Sequence, residues 1–273
     1  SAVLILYPTW VNPYIWAVER LAIGFCFSGV YVTAESWLNN DTTNETRGQT
    51  LSAYMIVQML GIVLAQMLLL AADPSGFVLF IIPSVLVSIS FAPILLSISP
   101  TPAFEATQPM SLRQLVQISP LGCVGIFLLG GVFSAQFGMS AVYGAEVGLS
   151  VAQISLFAAT FYICATLLQY PLGWLSDRMD RRLLILMTAL VACGGALIGY
   201  FFSHDYVLLL VAAGLIGGFS NPLYSLLIAH ANDYLDFEDM AAASGGLVFI
   251  TGIGAISGPF VIGGMMELVG PHG

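Results

Sequence analysis

Lysine is absent from this 273-residue chain, and its six basic residues are all arginine. Charged residues of both signs make up only 8 % of it, against about 25 % in a soluble domain. So little charge cannot cover a water-exposed surface, which excludes an ordinary soluble protein and makes lipid the expected solvent. With no basic patch to neutralise phosphates, nucleic-acid binding is excluded as well. The net charge of −9 reads as a wetted acidic surface in the loops.

Residues able to carry chemistry are equally sparse. Cys26, Cys123, Cys164 and Cys193 fall in separate apolar runs without metal-ligand spacing, and read as free thiols in lipid. His204, His230 and His272 sit at expected loops, away from the cysteines, so no metal site is expected. There is no nucleophile–base pair, Gly-rich phosphate loop or metal motif, so neither a cofactor nor an enzymatic activity is expected.

Long apolar runs are what the chain has in abundance, with 58 % hydrophobic residues. A transmembrane helix needs roughly 20 apolar residues to cross about 30 Å of hydrocarbon. Runs 14–38, 49–72, 77–99, 119–143, 151–174, 183–202 and 206–229 meet that length, and an eighth covers about 243–268. Residues 1–7 look like the tail of another helix. The chain opens in mid-run on Ser1 and stops in a turn at Val269-Gly270-Pro271-His272-Gly273, so a fragment of a longer protein is expected.

Arginine sets the orientation. Connections 39–48, 100–118, 175–182 and 230–242 share one side, which takes Arg47, Arg113, Arg178, Arg181 and Arg182, while the opposite connections hold no basic residue. The positive-inside rule makes that side cytoplasmic. The acidic loop 230–242, with Asp233, Asp236, Glu238 and Asp239, weighs little in the rule.

The turn Gly173-x-Leu175-x-Asp177-Arg178-x-x-Arg181-Arg182 resembles the conserved loop G-x-L-x-D-R-x-G-R-R of the major facilitator superfamily of secondary transporters. Asp180 stands where that family has Gly. The resemblance implies an all-α membrane fold of twelve helices in two bundles, joined by a long cytoplasmic loop. The Pro-rich stretch 100–118 takes the place of that loop. Residues 1–99 then belong to the N-terminal bundle, from the end of the third helix through the sixth, and 119–273 to the C-terminal bundle, helices seven to eleven. Ala34-Glu35-Ser36-Trp37-Leu38, followed by Arg47-Gly48, resembles the uncharacterised YcaD-type branch.

The same resemblance nominates site residues. Glu19 and Arg20 lie within run 14–38, about 10 Å from its centre, and Arg20-x-x-x-Gly24 resembles the family's fourth-helix signature. That implies a role in proton or substrate handling, with Arg20 projecting between helices; a structural ion pair, or a Glu19 that snorkels to the headgroups, is the alternative. Phe133, Gln136 and Phe137 on the seventh helix and Asn221, Pro222, Tyr224 and Ser225 on the tenth are candidates for the substrate cavity. Interhelical hydrogen bonding accounts equally well for Gln136 and Asn221, and is the expected role of Gln58, Gln66 and Gln169. Gly173, Asp177, Arg178, Arg181 and Arg182 are expected to form a cytoplasmic gate. Asp177 would approach 47–51, and Glu35 would pair with Arg178 or Arg181. Gly254, Gly258 and Pro259 resemble a glycine–proline signature of drug–proton antiporters, displaced here from helix five to helix eleven, and read as close packing with a kink.

The resulting expectation is alternating-access transport of a small molecule, with protons as the candidate coupling ion. The setting would be a bacterial inner membrane, the protein a monomer, and its partners the substrate and the bilayer. The alternative is a receptor or scaffold that reuses the fold without transporting.

Overall fold

The computed structural model describes residues 2–40, 47–73, 76–96, 110–176, 178–235 and 237–271. The described residues are helical, with no strand among them. They divide into two compact units, one of Ser1–Gln58 with Leu68–Glu105, the other of Met59–Met67 with Ala106–Gly273.

The first unit holds α1 (Ala2–Leu6), α2 (Pro13–Asn40), most of α3 (Arg47–Leu68) and α4 (Val78–Leu96). Pro13 opens α2, its fixed φ suiting a first helical position, and the Asn12 side chain accepts from the Tyr14 N–H at 2.9 Å. Buried Tyr7 ties the helices together. Its carbonyl accepts from Trp16 Nε1 at 3.0 Å, and its ring stacks on Phe80 with centroids 5.9 Å apart.

The second unit holds α5 (Leu112–Ile118), α6 (Pro120–Ser134), a π-helical turn at Ala135–Met139, α7 (Ser140–Glu146), α8 (Val151–Ser176), α9 (Arg181–Phe201), α10 (Tyr206–Asn232) and α11 (Phe237–Val269). The stretch 100–118, read as a loop, contains α5, which begins at a capping box: Ser111 accepts from the Gln114 N–H, and Gln114 reaches back to the Ser111 N–H. Among the described residues, five helices are long and apolar enough to cross a membrane: Pro120–Glu146, Val151–Ser176, Arg181–Phe201, Tyr206–Asn232 and Ala242–Val269. α3 and α4 lie within or close to the expected runs 49–72 and 77–99. The acidic loop shrinks. α10 runs to Asn232 and α11 starts at Phe237, placing Asp239 in a first turn where unpaired N–H groups favour a carboxylate.

Four-residue connections join α7 to α8, α8 to α9, α9 to α10 and α10 to α11, so successive spans run antiparallel. α10 packs along α8 and α9, and α11 along α6. Gly254 and Gly258 face α6 so closely that a Cβ at Gly254 would lie 1.9 Å from the Phe127 carbonyl oxygen, and one at Gly258 would lie 2.1 Å from Ser134 Oγ. Lipid offers no hydrophobic drive for helices to associate, so this backbone-to-backbone dispersion contact is what holds α11 on α6. Two buried clusters complete the unit, one around Ile126, Leu184, Leu227 and Leu247, the other around Phe157, Phe161, Tyr162 and Leu209.

Candidate functional site

The charged turn between α8 and α9 is held by its own residues and by the end of α10. Asp180 caps α9, its Oδ1 accepting from the Arg182 N–H at 2.8 Å. Two arginines open α9 at the positive end of its dipole, and the carboxylate at position 180, where the resembled motif has glycine, offsets them. Arg181 then crosses to α10. Its Nε donates to Ser176 Oγ at 3.1 Å, and its Nη1 donates to the Ala229 carbonyl at 3.2 Å and forms an ion pair with Asp233. Arg182 donates to the Tyr234 hydroxyl and lies 5.8 Å from that ring's centroid. Arg178 stacks on Trp174 at 3.9 Å and donates to its carbonyl at 3.2 Å. Gly173 lies in the last turns of α8, with nothing near enough to a Cβ to demand a glycine. Asp177, and the side chains of Glu35 and of residues 47–51, lie outside the described residues.

Sequence reasoning missed Asp233, Tyr234 and His230. Asp233 and Tyr234 are the partners that fix Arg181 and Arg182, and His230 is buried with its ring edge-on to Tyr234, centroids 5.2 Å apart. The available signal was the acidic loop, which topology places on the same side as the arginines.

Midway along the membrane, α6 breaks into the π-helical turn, where the Ser140 N–H reaches back to the Ala135 carbonyl. Such turns shift the helix register by one residue and recur at functional sites. Gln136, 2 % exposed, sits on it and joins α10. Its Nε2 donates to Ser220 Oγ at 2.7 Å, and its Oε1 accepts from Asn221 Nδ2 at 3.1 Å. Asn221 also donates to the Gly217 carbonyl at 3.0 Å. The structure thus brings Gln136 and Asn221 together as a satisfied interhelical bridge. Gln169 makes a similar link from α8, donating to Ser225 Oγ at 3.3 Å. Phe133 packs near Tyr224 with centroids 6.0 Å apart, and Phe137 is largely exposed with its ring 5.2 Å from that of Tyr162.

None of the seven cavity candidates lines the cavity of about 300 Å3 in this unit. That cavity lies toward the opposite end from the arginines, between Ser140, Tyr143, Phe157, Tyr200, Ile216 and Met266, and is mostly apolar. A buried amide in lipid is held by neighbouring polar groups, as Gln136 is by Ser220 and Asn221. Among the described residues, the five spans carry acidic, basic or histidine side chains only within three positions of an end, namely Glu146, Arg181, Arg182, His230 and Glu267.

In the first unit Glu19 is 7 % exposed, and its Oε2 has no hydrogen-bond partner among the described residues. Arg20, expected to project between helices, has its side chain on the surface of this unit. It is exposed, with its guanidinium carbon 5.9 Å from the Tyr7 ring centroid. Successive helical residues diverge by about 100°, so burying Glu19 turns Arg20 out. Gly254 and Gly258 serve packing, as read, and Pro259 sits exposed inside a helix that continues to Val269.

Comparison with known proteins agrees with this architecture. The family model described as Major Facilitator Superfamily matches residues 121–273. The uncharacterized MFS-type transporter YcaD of Salmonella arizonae is 25 % identical over 256 residues, covering 92 % of this chain and 65 % of its own length. An uncharacterized MFS-type transporter of Yersinia pestis is 26 % identical over 263 residues, covering 94 % and 67 %. The chain thus spans about two thirds of the length of these relatives. Among solved structures, the fucose:proton symporter FucP of E. coli superposes with a TM-score of 0.64 at 16 % identity, over 99 % of this chain and 75 % of that one, which shows a shared fold. Matched over more than half its length by the family model, this multi-pass membrane chain belongs to the Major Facilitator Superfamily.

Proposed function

We propose that the protein is a secondary transporter that moves a small molecule across the bacterial inner membrane by alternating access. The observation that carries this reading is the charged turn at 173–182, tied across α8, α9 and α10 by Arg181. Alternating access needs helical bundles that move as bodies, and this cross-bracing stiffens the cytoplasmic ends of three helices. The bundles are assigned to 1–99 and 119–273, with 100–118 as the linker between them. Membership in a family of transporters supports the reading, as does the likeness to a protein named as a proton symporter. Glu19, a buried carboxylate with an unpartnered oxygen, is the group assigned to proton coupling, and exposed Arg20 is assigned to modulating it. A monomer without catalytic activity is the working form.

The test is uptake of a labelled small-molecule panel by proteoliposomes containing the protein, with and without a pH gradient. At least one compound is expected to accumulate only with the gradient imposed, and Glu19→Gln is expected to remove the gradient dependence. Absence of uptake across the panel in both directions would overturn the transport reading.

A further inference from the structure

Near the middle of α8 the packing described above leaves a buried hydroxyl without a partner among the described residues. Tyr162 lies about 17 Å along α8 from its start, at 1.5 Å per residue. Its side chain is 2 % exposed, and its hydroxyl has no hydrogen-bond partner among the described residues. In a membrane interior an unpaired hydroxyl is costly, since no water is present to replace the missing bond. Two other hydroxyls on the same helix are bonded to it: Thr160 donates to the Leu156 carbonyl at 2.7 Å and Thr166 to the Tyr162 carbonyl at 2.7 Å, whereas the Ser155 hydroxyl nearer the helix start is also buried without a partner among the described residues. A phenol is too long to bond its own helix in that way, so its partner must come from elsewhere.

What stands beside Tyr162 is Phe137, on the π-helical turn and 60 % exposed. A π-turn is one residue out of register with the α-helix around it, so a local shift of that turn re-aims Phe137 without unwinding the span. The preceding residue in the chain, Gln136, is already bonded to Ser220 and Asn221. Tyr162 therefore has unused hydrogen-bonding capacity beside Phe137, as Ser155 Oγ and Gln169 Oε1 have about two turns either way along α8.

Resting on the transport reading, we propose that the Tyr162 hydroxyl, screened by Phe137, is a ligand-contacting group, and that the part of the substrate it meets is neutral and hydroxyl-bearing. The charge-free interior of the five spans supports that class. A charged group brought against α8 at mid-depth would find no counter-charge in this unit and would lose its hydration, whereas a neutral hydroxyl exchanges hydrogen bonds with the phenol and lays its apolar face on Phe137.

The experiment is ligand-dependent thermal stabilisation of the purified protein. D-xylose, sorbitol and myo-inositol serve as neutral hydroxylated probes, and glutamate and choline as charged ones. At least one neutral probe and neither charged probe is expected to stabilise the wild-type protein. Tyr162→Phe removes only the oxygen and is expected to raise the Kd for that probe about three- to tenfold, the worth of one neutral hydrogen bond. Its unliganded Tm should hold or rise, because an unpaired buried hydroxyl is lost, and that separates recognition from misfolding. Tyr206→Phe removes a hydroxyl that donates to the Gln153 carbonyl at 2.9 Å near the start of α8, and should leave the Kd unchanged. Equal Kd values for wild type and Tyr162→Phe would overturn the assignment, as would stabilisation by charged probes alone or by none. Probe binding lost in Tyr162→Phe but without uptake in proteoliposomes would sink the transport reading and leave the Tyr162 contact standing; uptake with Tyr162-independent affinity would do the reverse.

Discussion

Gly254→Ala should destabilise the protein far more than its chemistry suggests. The new methyl would sit 1.9 Å from the Phe127 carbonyl oxygen, 1.5 Å short of the 3.4 Å at which ordinary contact begins. The obstacle is backbone, so no rotamer relieves it; α11 must move off α6 and the seam around Gly130 and Gly131 loosens. Overpacking of this kind costs up to about 3 kcal/mol, against which alanine's better helix propensity returns about 1 kcal/mol. Gly252→Ala is the internal control, because on the same helix a Cβ there meets nothing within 4 Å. It should stabilise by about 1 kcal/mol, leaving the two variants about 3 kcal/mol apart. At roughly 2–4 °C per kcal/mol for a chain of this size, their melting temperatures in detergent should differ by about 6–12 °C. Melting within about 2 °C of each other would mean that α11 separates from α6 freely, and the account of the seam would fail.

Three further outcomes follow from the contacts described. Asp180→Ala should cost about 1 kcal/mol in thermal or denaturant unfolding, whereas Asp180→Gly, which restores the residue of the resembled motif, should cost only a few tenths; equal losses would refute the capping role. Arg181→Ala should destabilise by about 1–2 kcal/mol and Asp233→Asn by less than about 1 kcal/mol, since the ion pair is partly exposed while the bonds to Ser176 and the Ala229 carbonyl depend on the arginine alone. A larger loss at Asp233 would reverse that ranking. Gln136→Leu should cost about 1–3 kcal/mol, because it strips the Ser220 and Asn221 side chains of their shared partner, and unchanged stability would show that they find another.

The spans were legible because lipid imposes length and apolarity on each helix separately, and α8, α9 and α10 start and end within a few residues of the expected runs. The α11 start was not. A run of acids reads as a loop in sequence, yet Asp239 is well placed at a helix N-terminus, where only the backbone's direction tells the two apart. At the charged turn, the spacing of residues 173–182 identified the arginines but not their partners, because Asp233 and Tyr234 lie two helices further along the chain and meet Arg181 and Arg182 only through packing. Gln136 and Asn221 share that limit: pattern marks a polar residue in an apolar run, and only the fold says whether it faces a ligand or another side chain. Tyr162 was invisible for the opposite reason, since a tyrosine among phenylalanines looks like core until its hydroxyl is counted.

The confinement of charge to the ends of the five spans also bears on energetics that no contact reveals. A membrane potential acts only on charge displaced through the field, at about 2.3 kcal/mol per elementary charge per 100 mV. The interior of the second unit carries no such charge among its described residues, so movement of that unit is electrically silent apart from small shifts at its ends. In the first unit, by contrast, Glu19 and Arg20 lie within α2, where displacement through the field would couple them to the membrane potential.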